Sequence, residues 1–507
     1  MCMTPQFTRL GSMLKPLEAS HPSPGTGRPS PGPDRRRDPF VDVLRVTAIV
    51  LVVAQHWLMP AIAYDDGVLT TGNALATPGA WAVTWLSQVM PLVFFAGGAA
   101  AAYSLIRRPG FGSRSRPIGL CHGWLDGRLL RLVAPVVPLI ALWLPLPHLL
   151  LALGVPADPV ETGSALAGRL LWFLALYVLI TALTPTLLQL HQRLRGAEIV
   201  LLAVGALLVD VVRFGFAGGT GIVGYANVAF VWIACYQLGI AYSSGRLRWM
   251  SGWRALVVAG LGLFATTLAV AAGPYPGSMI GMPGEPVSNM NPPTFALLTV
   301  TALQLGLALA LRPALERWAA YPPVARGIDW LSARLMTIYV WHMPALIVVG
   351  GVSVVGFGWA TPALLSAEWR QVMPLWLVSL SFVLAVFVRL CSRVERSVRT
   401  VPPRHSWPVG VATVLIGLGL LMFAVNGFSP ALATHPLGPV GASLGVVTGV
   451  GLLLINRKSR PTARPAVPRP RPVAAPARVG PGVGVAPPTI HQLTGSQGQP
   501  EREKVGV

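Results

Sequence analysis

The sequence has 507 residues, 53% of them hydrophobic and 11% charged, with a mean hydropathy of +0.60. Soluble domains carry about a quarter charged residues, so this composition excludes a soluble globule and predicts an all-α, polytopic helical bundle in a membrane. The net charge of +21 does not imply a nucleic-acid partner, because the basic residues fall in short clusters between apolar runs, as cytoplasmic loops do.

Residues 1–39 are rich in Pro, Ser, Gly and Arg and end near Arg35-Arg36-Arg37. They cannot bury a core, so the sequence predicts a disordered tail, held in the cytoplasm by the triple Arg. No secretory signal peptide is expected, since the first apolar run starts after this stretch and is long enough to span. Twelve apolar segments of spanning length follow, near 41–60, 81–106, 129–153, 169–190, 197–213, 225–243, 253–272, 293–312, 333–352, 373–391, 408–428 and 437–456. Pro135, Pro138, Pro145 and Pro147 break the third, which predicts a kink or a cavity-lining distortion. Residues 457–507 form a second Pro- and Arg-rich tail, suited to a disordered cytoplasmic segment that touches anionic headgroups.

Loop charge sets an orientation. With the N-terminus inside, the inner loops near 107–128, 191–196, 244–252, 313–332 and 392–407 each contain at least two Arg. The outer loops near 61–80, 154–168, 214–224, 273–292, 353–372 and 429–436 hold Asp65, Asp66, Asp158, Glu161, Glu285 and Glu368, and of the arginines only Arg370. Arg169 and Arg213 sit at outward span ends. The alternation predicts a plasma-membrane protein with both termini cytoplasmic.

In the first span, Arg45 and His56 are eleven positions apart. That offset turns about 1100°, so both side chains fall on one helical face, about 16 Å apart along the axis. A charge at mid-span costs roughly 2.5–3.5 kcal/mol on insertion scales, and a polar pair on one face suggests a lined cavity. The alternative is that His56 only bonds a neighbouring backbone. Arg128 and Arg131 lie three apart on one face and follow Arg107, Arg108, Arg114, Arg116 and His122. Guanidinium groups suit phosphates, although every inner loop is basic for topological reasons alone. Tyr339 and His342 share a face of the ninth span, either as pocket or as interhelical glue. The outer stretch Gly273–Pro293 offers Asn289 and Asn291 as polar contacts, or is an ordinary turn-rich loop. Glu395, among Arg389, Arg393, Arg396 and Arg399, suits an interfacial ion-pair network. Cys2, Cys121, Cys235 and Cys391 lack metal or disulfide spacing, and no metal site is expected. No motif supports phosphoryl hydrolysis, hydride transfer, zinc proteolysis or α/β-hydrolase chemistry.

These segments together resemble the membrane-bound acyltransferase 3 family. Asp42, Arg45 and His56 are similar to its Asp-x-x-Arg-x(10)-His pattern, and Met90–Gly98 to its Pro-x-Phe-Phe-x-x-Ser-Gly span, with Ala96-Gly97 where a Ser usually stands. Arg128-Leu-Leu-Arg131, Leu171–Leu174 and Thr337–Pro344 resemble its Arg-x-x-Arg, Trp-Phe-Leu and Ser-x-x-Tyr-x-x-His-x-Pro elements. Asn227–Gly239 and Asn289–Pro293 look like an actinobacterial-type branch. The resemblance covers about residues 38–400. It divides the chain into a tail (1–39), a ten-span acyltransferase core (40–400), two additional spans (401–456) and a tail (457–507).

The resemblance implies O-acyl transfer from acyl-CoA, as co-substrate and not a tightly bound cofactor, to a hydroxyl of a carbohydrate, envelope component or secreted small molecule. It implies His56 as the base, or as a transient acyl carrier, with Arg45 on the thioester carbonyl or a CoA phosphate. Arg128 and Arg131 would hold CoA phosphates, and Tyr339, His342 and Asn289 would line the acceptor pocket. A positioned imidazole suits this chemistry independently, because an alcohol is a poor nucleophile at neutral pH. A secondary transporter or flippase would also use buried ionisable groups, but the two sets of six spans show no clear repeat. A structural membrane subunit is a third reading.

Overall fold

Apolar runs of about twenty residues find no water for their backbone inside a bilayer, so they close their own hydrogen bonds as helices. The structure is a computed structural model that describes residues 38–107, 118–216, 218–397 and 403–457. The expected tails at 1–37 and 458–507, and Arg108, Arg114, Arg116 and Arg399, lie outside the described residues, as do the side chains of His122, Glu395 and Arg396. Among the described residues, eleven helical segments are long and apolar enough to cross a membrane. They follow the first eleven predicted spans. The twelfth is a 17-residue helix, at the short end of what spans a bilayer.

The first helix, α1 (Pro39–Leu58), starts at Asp38, whose carboxylate caps Phe40 N and Val41 N at 3.1 and 3.3 Å, with Pro39 at the first helical position. The other carboxylate oxygen accepts the hydroxyls of Tyr103 and Tyr242, each at 3.1 Å. Asp38 and Pro39 therefore belong to the bundle, not to the tail.

Where the sequence predicts only an outer loop, β1 (Pro60–Asp65) and β2 (Val68–Asn73) form an antiparallel hairpin. Asp66 and Gly67 both take positive φ, 50° and 84°, the turn that matches the twist of paired strands. The short α2 (Thr84–Ser87) leads into α3 (Met90–Ile106). The proline-rich span is broken into α4 (Ile118–Val133), α5 (Val136–Trp143) and α6 (Leu146–Ala152), with turns at Pro135 and Pro145, which lack the N–H that a continuous helix needs. The expected loop at 154–168 is instead largely helix α7 (Ala157–Arg169). Its acidic residues are fasteners: Asp158 accepts Leu69 N of the hairpin at 2.7 Å, and Glu161 accepts the Ser429 hydroxyl.

The remaining helices are α8 (Leu171–Leu194), α9 (Ala197–Phe216), α10 (Asn227–Ser243), α11 (Trp253–Ala272), α12 (Ala296–Ala319), α13 (Pro322–Ser332), α14 (Leu335–Gly350), α15 (Ala367–Ser397), α16 (Trp407–Asn426) and α17 (Pro439–Ile455). Only 17% and 22% of the apolar windows of α9 and α11 are buried, so these two face lipid. Several polar side chains in the interior are paired, as burial favours. Asp210 accepts Asn227 Nδ2 at 2.8 Å and Phe295 N at 2.6 Å. Arg213, at the outward end of its span, is buried and donates to the carbonyls of Gly219, Pro292 and Ser288.

Helices meet most closely through glycine, as membrane interfaces do. A Cβ on Gly98 of α3 would lie 2.1 Å from Tyr236 O, and one on Gly239 of α10 would lie 1.9 Å from Phe95 O. Gly239→Ala is therefore expected to destabilise the protein by roughly 1–3 kcal/mol, the cost of overpacking. Gly260→Ala, with nothing within 4 Å of its added Cβ, should be neutral or stabilising. Thermal unfolding of both variants in detergent checks the pair.

Candidate active site

Six of the sequence-nominated residues fall in two clusters at different depths. The deeper cluster forms where α1 meets α14. His56 and His342 bring their rings to 5.2 Å between centroids, edge to face at 62°. His56 Nδ1 donates to Val52 O at 2.7 Å, and His342 Nδ1 donates to Tyr339 O at 2.6 Å. A carbonyl only accepts, so both rings carry their proton on Nδ1 and leave Nε2 as a lone pair. His342 is fully buried, and its Nε2 has no hydrogen-bond partner among the described residues.

Indole hydrogen bonds fix this contact. Trp57 Nε1 donates to His342 O at 3.1 Å, and Trp376 Nε1 donates to Trp57 O at 2.9 Å. Immediately before His56, Gln55 Nε2 donates to Ser87 Oγ at 2.5 Å. Tyr339 packs 5.8 Å from the His342 ring, but its hydroxyl is spent on Leu170 O at 2.5 Å. Phe173 stands edge-on to Tyr339 at 5.2 Å and to Phe94 at 5.4 Å, and Phe94 stacks on Trp232 at 4.9 Å. The first span, Met90–Gly98, Leu171–Leu174 and Thr337–Pro344 thus converge in space.

The shallower cluster lies toward the N-terminal end of α1. Arg128 Nη1 donates to Ser104 Oγ at 3.2 Å and its guanidinium lies over Trp124 at 5.4 Å; Trp124 Nε1 donates to the same hydroxyl at 2.8 Å. Arg131 is exposed and donates through Nε to Gly127 O at 3.0 Å. Arg45 pairs with Asp42 at 3.5 Å, with about a third of its side chain exposed. Since α1 is continuous, Arg45 stays about 16 Å along the axis from His56, too far to touch a carbonyl held at the histidine.

Between the clusters runs a stripe that the sequence reading missed. Phe173, Tyr177, Thr181 and Thr184 recur at helical spacing along α8, and all are buried. Thr184 Oγ1 donates to Thr181 O at 2.7 Å and accepts the Tyr236 hydroxyl at 2.7 Å. Phe173 and Thr184 are eleven positions apart, the same offset as Arg45 and His56. The spacing of 4, 4 and 3 was the available signal, hidden in a span apolar all round.

Asn289 belongs to neither cluster. Its Nδ2 donates to Pro276 O and Ser278 O at 2.6 and 2.8 Å, and its Oδ1 accepts Thr294 Oγ1 at 2.8 Å. Those bonds all lie within its own stretch, so Asn289 builds the loop. On the hairpin side of the histidines is a cavity of about 290 Å³, lined by Trp57, Trp369, Trp376, Asn73, Thr77 and Thr361 among others. Thr361 accepts Ile62 N at 2.6 Å, which ties the hairpin over the cavity. Among the described residues, no group of three His, Cys, Asp or Glu is placed to hold a metal ion.

No curated protein and no solved structure matches the chain. A family model of the acyltransferase 3 type, described as an acyltransferase domain, matches residues 38–392. That span takes in α1 through most of α15, including both histidines and both arginines of α4, and the protein accordingly belongs to the acyltransferase 3 family of multi-pass membrane proteins.

Proposed function

We propose that the protein moves an acyl group from cytoplasmic acyl-CoA to a hydroxyl of an acceptor that enters from the other side of the membrane. The observation that carries this reading is the histidine pair, two imidazoles locked in one tautomer with their Nε2 lone pairs left for substrate. His56 Nε2 takes the acceptor's hydroxyl proton as its oxygen bonds to the thioester carbon. Collapse of the tetrahedral intermediate breaks the C–S bond, and the departing CoA sulfur takes the proton back from the imidazolium. The products are an ester and CoA thiol, and His56 is restored. The Val52 carbonyl orients the ring and stabilises its charged form through Nδ1–H. His342, with its Nε2 also a lone pair, accepts a hydrogen bond from a second hydroxyl of the acceptor.

Arg128 and Arg131 hold CoA phosphates. Arg45 acts on the CoA arm, since its separation from His56 rules out the carbonyl. The Tyr177–Thr184 stripe along α8 offers the pantetheine arm hydrogen-bonding groups between the two depths. The cavity beyond Trp57 suits the acceptor. Its indole walls present apolar faces and its Asn73, Thr77 and Thr361 present polar groups, the combination that a pyranose ring uses. The loop charges orient the arginine end toward the cytoplasm, the compartment that contains CoA.

The test is transfer of label from [14C]acetyl-CoA to methyl glucopyranoside by the purified protein in lipid nanodiscs. His56→Gln is expected to lower kcat by about 10²–10⁴-fold, the usual worth of a general base, with the melting temperature unchanged; retained activity would remove the role. Arg128→Ala should raise the KM for acetyl-CoA by roughly tenfold, as loss of a charged hydrogen bond does, and leave that for the acceptor alone. Trp369→Ala should do the reverse.

A further inference from the structure

Beyond the family match lie α16 and α17, and they reach the α4 segment that carries the donor arginines. Asp126 of α4 is fully buried, and neither carboxylate oxygen makes a hydrogen bond among the described residues. Its partner is Arg457, just after α17, with Nη2 3.9 Å from Asp126 Oδ2. Arg457 is itself held in place. Asn456 closes the base of the α16–α17 hairpin, its O accepting Arg404 N at 2.6 Å, its Oδ1 accepting His405 N at 3.0 Å and its Nδ2 donating to His405 O at 2.7 Å.

The geometry of α4 gives this pair leverage. Pro135 separates α4 from α5, so the tilt of α4 is not inherited from a continuous helix. Its neighbours include α8, α16 and α17. Trp124 and Arg128, one turn apart, face Ser104 of α3. Asp126 lies about 200° round the helix from Arg128, so it grips from the opposite side. One attachment point would leave α4 free to roll; two on opposite faces fix it.

We propose that the Asp126–Arg457 pair makes the α16–α17 hairpin part of the donor site, by setting the angle at which α4 presents Arg128 and Arg131. Asp126 and Arg457 are positioning residues, and the inference rests on the reading that those arginines hold CoA. Removing one member of a buried pair strands the other charge, whereas neutralising both is tolerated. The variant of choice is therefore Asp126→Asn with Arg457→Met in the full chain, its affinity for acetyl-CoA measured by calorimetry in nanodiscs.

The expected result is binding weakened by roughly tenfold, the size of a coupling carried through packed elements, at a melting temperature that shows a folded protein. The swapped pair Asp126→Arg with Arg457→Asp should recover most of the affinity, which a merely structural role of either side chain does not predict. Unchanged affinity in the folded neutral double variant overturns the inference. If that variant does not fold, Arg457→Lys decides: its shorter head should weaken binding about threefold by the same coupling, and unaltered binding overturns the proposal. Arg128→Ala is measured alongside. If it binds acetyl-CoA as the wild type does, the donor reading of α4 falls, and this inference with it; if it binds weakly while the Asp126 and Arg457 variants do not, only the inference falls.

Discussion

The hydrogen bond from the Trp57 indole to the carbonyl of His342 is the interaction on which the site depends. It joins the last turn of α1 to the middle of α14, two helices nearly three hundred positions apart in the chain. In an apolar bundle a buried indole N–H without a partner is costly, so the bond from Trp57 is strongly favoured and brings His56 to His342 as a consequence. Trp376 then secures Trp57 from α15. The same two indoles wall the cavity on the far side, so one set of contacts fixes both the imidazoles and the space in which an acceptor would lie.

Much of the fold was legible because bilayer thickness imposes a length on every apolar run, and eleven segments among the described residues met it. The face shared by Arg45 and His56 was legible because α1 is unbroken. What failed to read were features whose signal is local chemistry inside a stretch dismissed as loop. Asp66-Gly67 is a turn that accepts two positive φ values, yet the flanking strands are too short and mixed to stand out beside the spans. The helix α7 carries Asp158 and Glu161, which looked like outer-loop charge; acidic residues also favour the start of a helix, and nothing in their spacing distinguishes the two uses.

The site residues divide along the same line. His342 and Tyr339 were nominated together, but the imidazole keeps a lone pair while the phenol hydroxyl is consumed by Leu170. Asn289 was nominated for its side chain's capacity to bond, and that capacity closes its own loop. Hydrogen-bonding potential can be read from a residue type. Whether it has been spent depends on tertiary partners that periodicity does not reveal. Asp38 is the converse case, a residue at the edge of a polar tail whose carboxylate joins α1, α3 and α10.

The separation between the two clusters is itself informative. A helix that carries its arginine and its histidine eleven residues apart cannot use both on one atom, so any substrate that engages both must be long. An acyl thioester with an extended arm and a phosphate terminus meets that requirement, with its reactive carbon at one end and its charge at the other. The stripe on α8 repeats the eleven-residue offset, which places hydrogen-bonding groups along the distance that α1 leaves bare. Length matching of this kind also explains why a rigid α4 matters. Under the proposed function, phosphate anchors on α4 would hold a thioester at the histidines only if their own position is fixed, because a tilt at one end of a long ligand is a displacement at the other, and a misplacement of about 1 Å can cost two orders of magnitude in rate.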